Sequence, residues 1–492
     1  EKVGTGDVLY TINDGAEQRY SGPTPLVIPT SGDEVYRFDF ALEGTSINKS
    51  LRVMVGNPPD LGFVEVDGTN FVLHNQPWYF NGTNQYYLMF KPAPMANDFF
   101  ARADSVGLNV VRTWMFCHHT STHDGACVNV YDGGVSSTAE EAREHFLALK
   151  SNPTPEEQAI LDYSWDLLDN YVYQAQLYDM KLVLALGDNW PGNRMGAIDV
   201  FAEAVGDSGI TGAYANPEAR ELYKMWINEV LNHVNPYTGL AYKDDPTIMM
   251  WELANEPRCT GGGGCAVGTP AYNNFNTWVT DISAHIKQEA PNQLVSIGTE
   301  LDPNDSDAFI KGIHSHDTVD VVSGHLYPKP WNIPTQEQSV AHVQSIIDIS
   351  REIGKPLYYG EFSYRMESGS AEADAQIRTG LFDALYDLSY NNRDVLGGMI
   401  SWQLSGLEWG NGLEGDCQWC SGPLGEPANA WYGNHDGYQF YCALDAPEYN
   451  ITDVGAIGTN VEGDVIHLEW HESTCNSVRN YSNLLAILNG SN

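Results

Sequence analysis

Basic residues are scarce in this chain of 492 residues: 25 Lys and Arg stand against 65 Asp and Glu, a formal net charge of −40. So negative a molecule repels phosphate backbones and anionic lipid, which argues against nucleic acid and membrane surfaces as partners. Long apolar runs are lacking too; none reaches the roughly 18 residues of a membrane-spanning helix. No glycine-rich phosphate loop follows the first strand of the alternating region, against an open dinucleotide-binding sheet. No Gly-x-Ser-x-Gly elbow supports a serine hydrolase. Cys417-x-x-Cys420 has no second CxxC to complete a zinc site. Asp302-Pro-Asn-Asp-Ser-Asp307 lacks the glycine and terminal glutamate of a calcium loop. Cys117-His-His-Thr-Ser-Thr-His123, with Cys127 close by, reads as a disulfide-tethered loop and not a metal site. No metal and no cofactor is expected. A neutral substrate such as a sugar meets no charge barrier here.

What is present points outward from the cell. The eight cysteines (117, 127, 259, 265, 417, 420, 442 and 475) are even in number and fall mostly in loop-like sequence, as in a secreted, disulfide-bearing protein. Closeness suggests Cys117–Cys127 and Cys259–Cys265, although eight cysteines allow about 105 pairings. The chain opens at Glu1 without the apolar segment of a signal peptide, which reads as a processed mature form. N-glycosylation sequons begin at Asn48, Asn81, Asn304, Asn450, Asn480 and Asn489.

Residues 1–58 alternate apolar and polar side chains, as in Glu34–Ala41 and Ser50–Val55, and predict a small β-rich segment packed on the rest. From Phe63 onward strand and helix patterns take turns. Strands end near Asn84, Trp114, Gly187, Glu256, Gly298, Tyr327, Glu361 and Trp402. Helices are clearest over 156–180, 218–233, 274–289, 336–353 and 371–390. Eight alternations over about 350 residues predict a (β/α)8 barrel, a TIM barrel, spanning 59–445, with 446–492 as a C-terminal extension.

Barrel active sites form at the carboxyl ends of the strands. Glu256 and Glu361 end strands four and seven, and Arg112, Asn255, His325, Tyr327 and Trp402 also stand at strand ends. Two facing carboxyls are the equipment for cleaving a glycosidic bond, one as proton donor and one as nucleophile or base. Arg112 beside Glu361 would hold it ionised, Tyr327 would hydrogen-bond the same group, and His325 would orient Glu256 or a sugar hydroxyl. Asn255 can bind the hydroxyl beside the reacting carbon. Trp402 suits the floor of the site, and Trp190, Trp331 and Trp409 the rim, because flat rings match pyranose faces. Trp165, Trp226, Trp251 and Trp278 fall within helix or strand patterns and belong to the core.

Asn255-Glu256-Pro257, Gly360-Glu361-Phe362, Arg112-Thr-Trp114, His325-Leu-Tyr327 and Ser401-Trp402 resemble the pattern of glycoside hydrolase family 5 over about residues 60–445. Trp251-Glu-Leu-Ala-Asn-Glu-Pro-Arg-Cys259 is most similar to its endo-β-1,4-mannanases. The resemblance implies a retaining double displacement with Glu256 as acid/base and Glu361 as nucleophile. It implies substrate contacts for Arg112, Trp114, Asn255, Arg258, His325, Tyr327 and Trp402. Asp188 departs from it, standing where those mannanases tend to have Asn. Retention requires the two carboxyls about 5 Å apart. The substrate implied is a β-1,4-linked polysaccharide and the protein a monomer. The alternatives are an endo-β-1,4-glucanase on the same scaffold and a non-catalytic polysaccharide-binding protein.

Overall fold

The structure, a computed structural model, describes residues 8–13, 16–20, 34–42, 48–55, 61–86, 93–117, 144, 153–191, 197–260, 264–366, 370–405, 438–442, 458–459, 465–466 and 469–490. Eight strands, buried along their length, form its centre: β1 (Phe80–Asn84), β2 (Val110–Trp114), β3 (Lys181–Ala185), β4 (Ile248–Glu252), β5 (Leu294–Ser296), β6 (Val322–Leu326), β7 (Leu357–Phe362) and β8 (Leu396–Ser401). They pair in the order β5-β4-β3-β2-β1-β8-β7-β6, every pair parallel. A parallel bridge between Ser296 and Val321 joins the two ends into a ring. This is the expected TIM barrel. Parallel strands covered on both faces account for the nearly continuous apolar runs.

A helix follows each strand: α1 (Ala93–Ser105), α2 (Pro155–Leu177), α3 (Pro217–Asn232), α4 (Pro270–Glu289), α5 (Asp307–His314), α6 (Gln336–Ile353), α7 (Ala371–Asn391) and α8 (Glu469–Leu488). Local chemistry sets their ends. Thr154 and Thr335 close capping boxes with Glu157 and Gln338, while Gly354 terminates α6 in the left-handed region at φ 79°. On β8, a Cβ at Gly398 would lie 1.9 Å from the Phe80 ring, so only glycine lets that ring fill the barrel.

Ahead of the barrel, strands Val8–Ile12, Gln18–Tyr20, Glu34–Leu42 and Asn48–Val55 form an antiparallel sheet, in line with the period of two. The last of them lies beside α2. A second small sheet (Glu65–Asp67, Asn70–Leu73, Gln76–Pro77) stoppers the amino ends of the barrel strands. Phe71 meets Phe80 edge-on at 5.2 Å, and the Lys181 ammonium donates to the Leu61, Gly62 and Pro246 carbonyls at 2.7–2.8 Å.

Helix α8 comes from 446–492, the stretch read above as a C-terminal extension, and it packs on the barrel. Tyr481 stacks on Tyr386 of α7 at 4.2 Å, and Asn81 of β1 donates to Ser482 Oγ at 2.9 Å. A Cys442–Cys475 disulfide ties the helix to the segment after β8. The long interval between β8 and α8 breaks the strand–helix rhythm, so the helix did not read as part of the alternation. Asn81 is buried and bonded to Val478 and Ser482, which closes that sequon to a glycan. Trp409, Cys127, Cys417 and Cys420 lie outside the described residues; Cys117 is disulfide-bonded, and Cys259–Cys265 is a disulfide as expected. Trp226, Trp251 and Trp278 are fully buried, and Trp165 packs against the same core, stacked on His233.

Candidate active site

After β4 the chain bends sharply. Glu256 takes φ 51°, a left-handed conformation that is costly for a side-chain-bearing residue and marks functional positions. Its amide is held by Gly298 O at 2.9 Å, and the amide of Asn255 by Gly187 O at 2.7 Å. The bend aims the Glu256 carboxyl over the barrel mouth, 8% exposed. Trp190 Nε1 donates to its Oε2 at 2.7 Å, and His325 Nδ1 lies 2.7 Å from its Oε1. His325 Nε2 is buried without a partner among the described residues, so the ring proton belongs on Nδ1, donating to Glu256.

Glu361, within β7, faces the same space. Arg112 Nη1 donates to its Oε1 at 2.6 Å, and the Tyr327 hydroxyl makes a short hydrogen bond to its Oε2. His325 Nδ1 is 3.6 Å from that same Oε2, so one imidazole stands between two carboxyls. Donor atoms of Glu256, His325 and Glu361 all lie within 4.8 Å of one another. Such spacing could hold a cation, but Arg112 already supplies a positive charge against Glu361, and Trp190 and Tyr327 take up carboxylate oxygens.

Burial acts first on both acids, with opposite outcomes. At Glu256 it raises the pKa, yet hydrogen bonding and charge from His325, the Trp190 bond and the Arg258 charge outweigh it and hold the group below the ordinary range. Glu361 is pushed up by burial and by the neighbouring Glu256, against His325, Arg112 and Tyr327. Arg112 pulls in the expected direction but does not win. Arg112 itself keeps its charge: burial opposes it, and Glu252 and Glu361 more than compensate.

Apart from Trp409, which lies outside the described residues, the residues expected at the site stand at this mouth. Trp114, Trp190, Asn255, Glu256, Arg258, Tyr327, Trp331, Glu361 and Trp402 line a cleft of about 580 Å³, with Arg112 and His325 buried directly beneath. Tyr86 stacks on Trp402 at 5.6 Å and 6°, supporting it from behind. The peptide between Trp402 and Gln403 is cis. Asn255 is fixed on both sides of its amide: Oδ1 accepts from Arg112 Nη2 at 2.8 Å and Nδ2 donates to Asp188 Oδ1 at 3.0 Å. Asp188 thus orients Asn255.

Sequence reasoning missed Glu300, Asp302, Asn304, Pro330 and Tyr438 in the cleft wall, all on loops without periodicity. It also missed a pairing. Arg258 is ion-paired with Glu300 (Nε to Oε2, 2.5 Å) and lies over the Trp190 ring at 4.6 Å. Glu300 is pushed well above the ordinary carboxylate range, by burial first and then by Glu256, against Arg258.

The chain is similar to several known proteins. A rice mannan endo-1,4-beta-mannosidase 2 (Oryza sativa subsp. japonica) is 29% identical over 390 residues, 70% of this chain and 77% of its own. The tomato (Solanum lycopersicum) mannan endo-1,4-beta-mannosidase 4 is 28% identical over 375 residues, 70% of this chain and 84% of its own. A further rice relative, 28% identical, matches over 66% of each chain. In fold, the endo-1,4-beta-mannanase of Rhizomucor miehei superposes with a TM-score of 0.60 at 23% identity, over 87% of this chain and all of its own. The hyperthermostable endo-1,4-beta-D-mannanase of Thermotoga petrophila RKU-1 gives 0.57 at 24%, over 83% and all of its own. The family model for GH family 5 beta-mannosidase-like proteins matches residues 61–440. Barrel, paired acids and family model converge: the chain belongs to glycoside hydrolase family 5, in its β-mannosidase-like branch, and is a glycosidase.

Proposed function

We propose that this chain is a secreted, monomeric, retaining endo-β-1,4-mannanase that cleaves internal bonds of mannan, glucomannan or galactomannan. The observation that carries the reading is the approach of Glu256 and Glu361, with carboxyl oxygens within 4.8 Å across an open cleft. Retaining enzymes hold their carboxyls about 5–5.5 Å apart, whereas inverting ones leave room for a water between them. An open cleft with aromatic rings along it suits an internal segment of a polymer.

In the first step Glu361 attacks the anomeric carbon while the glycosidic C–O bond breaks and Glu256 gives its proton to the leaving oxygen. A glycosyl ester of Glu361 results. Glu256, now a carboxylate, takes a proton from water, whose oxygen attacks the same carbon; Glu361 leaves and the configuration is retained. His325 Nδ1 at Oε1 and Trp190 Nε1 at Oε2 hold the Glu256 carboxyl in place, and each oxygen keeps one lone pair for the transferred proton. Arg112 and Tyr327 fix which Glu361 oxygen faces the sugar. Asn255, clamped by Arg112 and Asp188, is set to bind the adjacent hydroxyl.

Reducing-sugar release from galactomannan against carboxymethyl-cellulose tests the substrate, because mannose and glucose differ only at C2. Preferential release from galactomannan is expected; a preference for cellulose would transfer the assignment to an endoglucanase. Glu361→Gln is expected to abolish turnover, and unchanged turnover would remove it as nucleophile.

A further inference from the structure

Glu252 closes β4 four positions before Glu256, fully buried beneath the cleft. Its carboxylate spans one edge of Arg112: Nε donates to Oε1 at 2.9 Å and Oε2 at 3.0 Å, and Nη2 donates to Oε2 at 2.7 Å. The Tyr358 hydroxyl donates to Oε1 at 2.5 Å and lies 3.2 Å from Ser296 Oγ. On its other edge the same guanidinium donates to Glu361 Oε1 at 2.6 Å and Asn84 Oδ1 at 3.0 Å. With Asn255 Oδ1 also on Nη2, all five N–H groups of Arg112 are used. One cation is therefore shared by two carboxylates, and only one of them reaches the cleft.

We propose that Glu252 is a positioning residue for Glu361: it locks Arg112 edge-on and takes up much of its charge, so that Arg112 aligns Glu361 without neutralising it. The proposal rests on Glu361 being the nucleophile. An ion-paired carboxylate is a weaker base and so a weaker nucleophile, whereas Arg112, Glu252 and Glu361 together keep one net negative charge at the anomeric centre. The other groups facing Glu361 are His325 from β6, Tyr327 after β6, Glu256 after β4 and, farther off, Glu300 after β5. None of them reproduces the load that Glu252 places on Arg112.

The test is the pH dependence of inactivation by 2-deoxy-2-fluoro-β-mannosyl fluoride. Glu361 attacks C1, the C–F bond breaks, fluoride departs and the glycosyl ester accumulates, a step that needs Glu361 ionised. In Glu252→Gln the acid limb of the inactivation rate is expected about one pH unit lower, since a negative charge is gone and Arg112 is left to Glu361. The plateau rate is expected to fall. Tyr358→Phe loosens Glu252 but keeps its charge, so its limb is expected at the parent position. A Glu252→Gln limb that does not move, or an equal shift in both variants, overturns the proposal. Should Glu252→Gln fail to fold, Glu252→Asp draws the charge back from Arg112; a smaller downward shift is expected, and an unmoved limb overturns it. Peptide mass mapping separates the two readings: a label on any residue other than Glu361 refutes the nucleophile assignment itself.

Discussion

Trp190 Nε1 donates to Glu256 Oε2 at 2.7 Å from an indole that is 38% exposed on the rim. A single hydrogen bond thus links the cleft wall to the reacting acid. It favours the carboxylate, so removing it favours the protonated form. Trp190→Phe keeps a ring under Arg258 but loses the donor. Because Glu256 is held below the ordinary range and Glu361 above it, the limb of kcat/KM at lower pH follows Glu256, and it is expected to move to higher pH by roughly half a unit. A limb displaced to lower pH would contradict this assignment.

Glu256→Ala removes the proton donor but not the nucleophile. Turnover of mannan should fall by about 10²–10⁴-fold, while formation of the glycosyl-enzyme from an activated aryl mannoside should be largely spared. Equal losses on both substrates would contradict the acid role. Glu256 also raises Glu361, so the acid limb of the remaining glycosylation step should lie at lower pH than in the parent.

How much of this was legible in the residues depends on local pattern. Strand ends carrying Glu256 and Glu361 stand out because apolar runs stop there at turn sequence. Glu252 does not, since an acid inside an apolar run acquires meaning only when Arg112 and Tyr358 arrive from other strands. Glu300 and Asn304 are on a loop with no periodicity, and their place in the wall follows from the barrel's closure. The Arg112–Glu361 contact was foreseeable; the outcome for the acid was not, because burial acts alongside the ion pair.

Glu300 offers a stability test with a definite sign. Its pKa is raised in the folded protein, so its contribution to stability is fully present below the unfolded value and is lost as pH rises through the folded one. Glu300→Gln removes that loss. Its melting temperature should exceed the parent's at pH 7 by roughly 1–2 °C, with the difference vanishing near pH 4. Differential scanning calorimetry across pH reads both values; a lower melting temperature at pH 7 would mean that the Arg258 pair dominates instead.

The Cys442–Cys475 disulfide joins residues 33 apart and anchors α8. Cys442→Ser with Cys475→Ser should cost about 2–4 kcal/mol of stability. Because neither cysteine lines the cleft, kcat on mannan should stay near the parent's at temperatures well below melting. A selective loss of kcat in the folded variant would tie α8 to the active site.

The route of α8 back to β1 makes the barrel a structure whose final stave is delivered late. A ribosome has to release residues beyond 469 before Asn81, Arg378 and Ser389 receive their hydrogen-bond partners from that helix. Premature termination near 445 would strip the cylinder of one wall and leave a hydrophobic seam along α7, a species for chaperones and proteases and no shortened enzyme.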